Sequence, residues 1–173
     1  QLLLLKTIKY LNNSIPVKII IAGRGVNYKN LKNYINKNKL KKNVLLINFL
    51  TNPYPLLKQA DVFILSSNYE GLPNVLLEAQ CFKKLIISTK CPTGPKEILL
   101  NGKAGIFFKM NDYKDLSKKI IYVYKNKNKF NKMIKIGYDN LYRFDEKKNL
   151  SRYYQLISKY IKKWIKLVGV LLD

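Results

Sequence analysis

The sequence predicts an α/β fold, a parallel sheet flanked by helices, on three observations. Short runs of apolar, β-branched residues alternate with longer segments of helical period, the pattern of strands joined by helical crossovers. The short runs are nearly all apolar, as strands buried on both faces should be. A length of 173 residues with 47% apolar and 12% aromatic content is enough for one domain with a real core and argues against disorder.

In chain order, helical period over residues 2–12 gives the first helix, and the run 17–22 the first strand. Gly23-Arg24-Gly25 is the loop that follows. Helical period returns over 28–38, a second strand covers 44–49, and a short helix covers 55–59. The third strand is 62–66, followed by a helix over 74–82. The remaining strands are 85–88 and 105–108, with a short helix over 95–100 between them and a longer one over 113–125 after the last. Residues 124–135 are a run of Lys and Asn with few apolar anchors and read as a solvated helix end or connection. From Leu150 the period is strong, with Tyr153, Ile157, Tyr160, Ile161, Trp164, Ile165 and Val168 on one side and Lys159, Lys162, Lys163 and Lys166 largely on the other. Residues 1–149 are therefore expected to form one domain and 150–173 an amphipathic terminal helix. That helix either packs on a partner domain or lies, through its Trp and lysines, in a membrane interface.

Composition excludes several kinds of chemistry. Histidine is absent, which removes His-based acid/base catalysis and most zinc sites, and Cys81 and Cys91 have neither metal nor redox spacing. No metal site and a reduced, cytoplasmic setting are expected. The chain opens Gln1-Leu2-Leu3-Leu4-Leu5-Lys6, which is neither a signal peptide nor a natural start, so a piece of a longer protein is expected. No apolar run approaches the roughly 20 residues of a membrane span. The net charge of +23 raises nucleic acid as a partner, but of 33 basic residues only Arg24, Arg143 and Arg152 are arginine, and phosphate and base readers lean on the arginine fork. The lysines are spread along the chain, as expected of solvated faces. An anionic membrane surface is the other reading.

Candidate chemistry sits in the loops after the strands, where ligands bind in open α/β sheets. Only four Glu occur, and three of them, Glu70, Glu78 and Glu97, fall between the third strand and the loop after the fourth. Glu70 and Glu78 have seven residues between them, around a turn that opens a helix. Pro73 suits the first turn of that helix, which leaves the amides of Gly71, Leu72, Asn74 and Val75 free to meet an anion such as a diphosphate. Glu78, four residues after Asn74, shares its face and can accept hydrogen bonds from two ribose hydroxyls. Glu70 is left to face a sugar. Read in isolation, the two glutamates are ordinary surface or capping acids. Gly23-Arg24-Gly25 is either a close approach to a ligand or a plain turn, since full dinucleotide spacing is missing. Thr51 and the neighbouring amides can meet a planar base. Read from its residues alone, Thr93-Gly94-Pro95 is a tight turn into a short helix with Glu97 in its first turn.

Residues 17–121 resemble the C-terminal domain of the GT-B retaining glycosyltransferases with an E-x7-E motif, glycosyltransferase family 4. The resemblance is carried by VKIIIAG (17–23) with Gly25, Asn43-Val44, NPYPLLKQADVFILSS (52–67), EGLPNVLLEA (70–79) and STKCPTGPKEIL (88–99), and more loosely by Tyr142-Arg143-Phe144-Asp145 and the terminal helix. It implies a Rossmann-like sheet, incomplete at its N-terminus, because the family's first strand of this domain, with its diphosphate-neutralising Arg and Lys, should precede Leu2. It further implies that Glu70 meets the donor sugar as the catalytic-site glutamate and Glu78 the ribose. Gly71, Leu72, Asn74 and Val75 with Gly23, Arg24, Thr51, Thr93 and Gly94 would complete the donor site. The stretch 91–97 is similar to that of bacterial enzymes using UDP-hexoses or UDP-N-acetylhexosamines in surface polysaccharide synthesis. The expected function is donor binding for metal-independent transfer to a glycan or lipid-linked acceptor held by an N-terminal domain, at the cytoplasmic side of a membrane. The 173 residues alone would then transfer nothing. A basic membrane- or nucleic-acid-binding module without catalysis is the alternative, and a sugar-nucleotide isomerase or glycan phosphorylase a third reading.

Overall fold

A computed structural model of the chain describes residues 1–12 and 14–169, with side chains of the last helix as far as Lys162. It folds as two units, Gln1–Asp139 and Asn140–Asp173. The first opens with α1 (Leu2–Leu11), whose Leu4, Leu5, Ile8 and Leu11 recur at helical spacing and are buried. Each such side chain contributes about 1.5–3 kcal/mol when fully buried. Thr7 is buried on the same helix, and its hydroxyl donates to the Leu4 carbonyl at 2.6 Å, so no polar atom is left unpaired there.

Five strands follow: β1 (Ile19–Ala22), β2 (Val44–Ile47), β3 (Val62–Leu65), β4 (Leu85–Thr89) and β5 (Ile106–Phe108). Between and after them lie α2 (Tyr28–Lys37), α3 (Tyr54–Gln59), α4 (Asn74–Cys81), α5 (Gly94–Ile98) and α6 (Tyr113–Lys125). All pairings are parallel, as predicted. The strands form two sheets rather than one: β1 pairs with β2 in the register Ile19↔Val44, and β4 lies between β3 and β5, with Ile64↔Ile87 and Ile87↔Ile106. Among the described residues, β1, β2, β3 and β5 each keep one edge without a strand partner. A single core nevertheless spans both sheets, joining Leu5 and Ile8 of α1 to Ile19 and Ile21, to Ile87 and Phe108, and to Leu116 of α6. Asp112 caps α6 by accepting from the Asp115 amide at 2.9 Å.

Two expectations are corrected. Burial on both faces holds for β4 alone; β1 alternates, and Ile20 and Leu45 are about half exposed at 47% and 54%, because only one face of the β1–β2 pair meets the core. The Lys/Asn run is not a bare connection either. It forms a 3₁₀ turn, Lys127–Phe130, and α7 (Asn131–Asp139), anchored by buried Phe130 and half-buried Met133 and Ile134, which reach the core at i, i+3 and i+4.

In the second unit a 3₁₀ turn, Leu141–Phe144, leads into α8 (Glu146–Gly169), which begins before the expected Leu150. The Asp145 carboxylate accepts from the Lys148 amide at 2.9 Å and caps it. Leu150, Tyr153, Ile157, Tyr160 and Ile161 are exposed. The side chains of Trp164, Ile165 and Val168 lie outside the described residues. No helix among the described residues is long and apolar enough to cross a membrane.

Candidate functional site

The strands of each sheet are parallel, so their carboxyl ends, and the loops that carry the predicted residues, fall at common edges. At the second sheet, the loop from β3 to α4 lies against the loop from β4 to α5. Thr89 Oγ1 donates to the Ser67 carbonyl at 2.6 Å at the base of this pair. Further out, Glu70 and Thr93 form an isolated parallel bridge, and Thr93 Oγ1 lies 2.5 Å from the Glu70 carbonyl and 2.8 Å from that of Pro92. Thr93 takes φ 66° and ψ −118°, a conformation that costs a β-branched residue about 1–3 kcal/mol. Gly94 follows, so close to the opposite loop that a Cβ on it would stand 1.9 Å from the Gly71 carbonyl oxygen and 2.6 Å from Pro73 Cδ.

Pro73 is the extended N-cap of α4, and its carbonyl accepts from Leu76 at 2.9 Å. No side chain caps this end, and among the described residues the amides of Asn74 and Val75 donate to nothing. An open helix start carries roughly half a positive charge and attracts anions. Asn74, Val75 and Leu72 are exposed, while Glu70 and Glu78 are half-buried. Glu78 sits one turn into α4, on the face of Asn74. Lys127–Asp61 and Lys135–Asp139 form ion pairs, whereas neither Glu70 nor Glu78 has a cationic partner. In a chain with 30 lysines, these two carboxylates stay available to ligand hydroxyls.

The other predicted residues gather at the first sheet. Gly23 has φ +148°, and its amide donates to the Ile47 carbonyl at 3.1 Å, extending the β1–β2 ladder into the loop. Arg24 then lies over the Phe49 ring, its Cζ 4.5 Å from the centroid, so the loops after β1 and β2 meet through a cation–π contact. Thr51 is exposed beside it. Gln1 lines a pocket of about 120 Å³ together with Gly23, Arg24, Gly25 and Tyr28, which puts the start of α1 at the same edge.

The structure thus brings Glu70, Gly71, Thr93 and Gly94 together and, separately, Gly23, Arg24 and Thr51; no hydrogen bond among the described residues joins the two groups. The Thr93 hydroxyl is turned to Glu70, and Gly94 is buried beneath Gly71. Two supporting residues were not singled out from sequence: Thr89, and Gln80, which donates to the Ile98 carbonyl at 3.4 Å and ties α4 to α5. Their signal is a polar side chain at a position of an otherwise apolar segment that faces the core.

Residues 1–140 match the family described as glycosyl transferases group 1. Over 100 residues, 57% of this chain and 25% of the relative, the sequence is 41% identical to an uncharacterised glycosyltransferase of Methanocaldococcus jannaschii. Over 108 residues, 58% of this chain and 26% of the relative, it is 34% identical to the UDP-Gal:alpha-D-GlcNAc-diphosphoundecaprenol alpha-1,3-galactosyltransferase of Escherichia coli. The chain spans about a quarter of the length of these relatives. The crystal structure of Anabaena HepE in complex with UDP superposes with a TM-score of 0.81 over 92% of this chain and 45% of that one, at 20% identity, so the two share a fold.

Proposed function

The chain belongs to the group 1 glycosyl transferases, and from that premise we propose that it forms the donor-binding part of a retaining glycosyltransferase. The enzyme would move a hexose or N-acetylhexosamine from a nucleoside-diphosphate sugar, UDP by preference, to a glycan or lipid-linked acceptor. The observation that carries this reading is the interlocked pair of loops that presents Glu70 beside the uncapped start of α4. As the bond from the anomeric carbon to the diphosphate breaks, charge grows on the leaving phosphate, and the Asn74 and Val75 amides stand ready to receive it. Glu70 orients the sugar and Glu78 accepts from the ribose hydroxyls. A galactosyltransferase named for a UDP-Gal donor and a lipid-diphosphate acceptor among the relatives supports the donor and acceptor classes.

The open edge of β1 can take a further strand, and the acceptor would be held by a domain elsewhere in the polypeptide. The exposed stripe of α8 would then pack on that domain or meet the cytoplasmic face of an anionic membrane.

The test compares Glu78→Ala with Glu70→Ala in the full-length polypeptide. Glu78→Ala should weaken UDP and UDP-sugar binding alike, by about tenfold or more for a lost charged hydrogen bond, whereas Glu70→Ala should spare bare UDP. Equal losses of UDP affinity in both variants contradict the assigned roles.

A further inference from the structure

We propose that Thr93 is a positioning residue for the glycosyl site, a role that rests on the reading of Glu70 as the group that meets the donor sugar. Its backbone lies at φ 66°, where glycine is at ease and a β-branched residue is not. Glycine would relieve that strain, but it has no hydroxyl. The hydroxyl of Thr93 is within 2.5 Å of the carbonyl oxygen of Glu70 itself. It therefore fixes the peptide plane after Glu70, and with it the direction in which the glutamate side chain leaves the loop.

The neighbouring contacts make the coupling tight. The Glu70–Thr93 bridge and the packing of Gly94 on Gly71 leave the two loops no room to slide past each other. Thr89 anchors the base of the same pair through its bond to Ser67. The Thr93 hydroxyl is the link nearest the glutamate, and it acts through Glu70 rather than on the donor.

The experiment titrates the full-length polypeptide with UDP, UDP-glucose and UDP-N-acetylglucosamine, as wild type and as Thr93→Val, Thr93→Ser and Glu70→Gln. Thr93→Val keeps the shape and removes the bond. It should leave UDP affinity within about twofold and lower the unfolding midpoint by no more than about 6 °C, while shifting the ratio of UDP-sugar to UDP affinity about tenfold toward that of Glu70→Gln. Thr93→Ser should restore the wild-type ratio. An unchanged ratio in Thr93→Val, or a parallel loss of UDP affinity and stability, overturns the proposal. If Glu70→Gln also leaves the ratio unchanged, or the wild type binds none of the three, the reading of the site itself fails. A shifted ratio in Glu70→Gln with a wild-type ratio in Thr93→Val removes the role of Thr93 alone.

Discussion

Adding one methyl group at Gly94 should disable the site while leaving most of the molecule intact. The ideal Cβ of Gly94→Ala falls 1.9 Å from the Gly71 carbonyl oxygen, against the roughly 3.3 Å at which carbon and carbonyl oxygen normally meet. The shortfall is about 1.4 Å, and the obstacle is backbone, so no rotamer change relieves it. Retreat is blocked on one side by the strained Thr93 and on the other by Pro95, whose ring fixes φ. The loop bearing Gly71 must move instead, and Glu70 and Pro73 move with it. Overpacking of this kind costs about 1–3 kcal/mol, which at 2–4 °C per kcal/mol for a chain of this size lowers the unfolding midpoint by roughly 2–12 °C. A displacement of about 1 Å at a reacting centre costs on the order of 100-fold in rate. Thermal unfolding, with UDP release from UDP-glucose and UDP-N-acetylglucosamine in the full-length polypeptide, measures both effects. Gly71→Ala is the control for stability: its Cβ meets nothing within 4 Å, and the midpoint should stay within about 2 °C of wild type. A Gly94→Ala variant with wild-type midpoint and turnover refutes the reasoning, and so does a Gly71→Ala variant destabilised as much as Gly94→Ala.

Two further outcomes are expected. In β1 the Ile19 and Gly23 amides donate to β2, so by parallel alternation those of Ile20 and Ala22 point to the open edge. Hydrogen exchange at Ile20 and Ala22 should be markedly slower in the full-length polypeptide than in the 173-residue chain; equal rates argue against a strand on that edge. If the diphosphate is met by backbone amides at the start of α4, as proposed, UDP binding should withstand EDTA with less than about twofold change in affinity. Loss of binding that magnesium restores would assign the charge compensation to a metal.

The elements with strong local signals were legible in sequence. Residues 113–125 read as a helix and form α6 over that same span, because its period is clear and Asp112 marks its start. Both glutamates, Pro73 and Asn74 were legible for the same reason: a strand, a turn and a helix start lie within a few residues of one another. The Lys/Asn run was not, since only Phe130, Met133 and Ile134 distinguish α7 from a solvated segment, and their burial depends on distant strands. Nor does an apolar strand declare which of its faces is covered, so the exposure of Ile20 and Leu45 was hidden. Thr93 depends on a partner 23 residues away, and its identity as a buttress is written in no local pattern.

The two glutamates acquire meaning from what surrounds them. In a chain with 33 basic and 10 acidic residues, Asp61 and Asp139 each pair with a lysine. Exposed pairs of that kind contribute about 0–1 kcal/mol, so they form readily and hold little. Glu70 and Glu78 are half-buried and have no cationic partner; Glu70 lies on a loop pair braced by two threonine hydroxyls and a close glycine contact, and Glu78 lies one turn into α4. A lysine beside either would compete with sugar hydroxyls for the carboxylate oxygens. Under the proposed roles, the contacts that Thr93 and Gly94 make with the Glu70 loop bear on the site as directly as the glutamate itself.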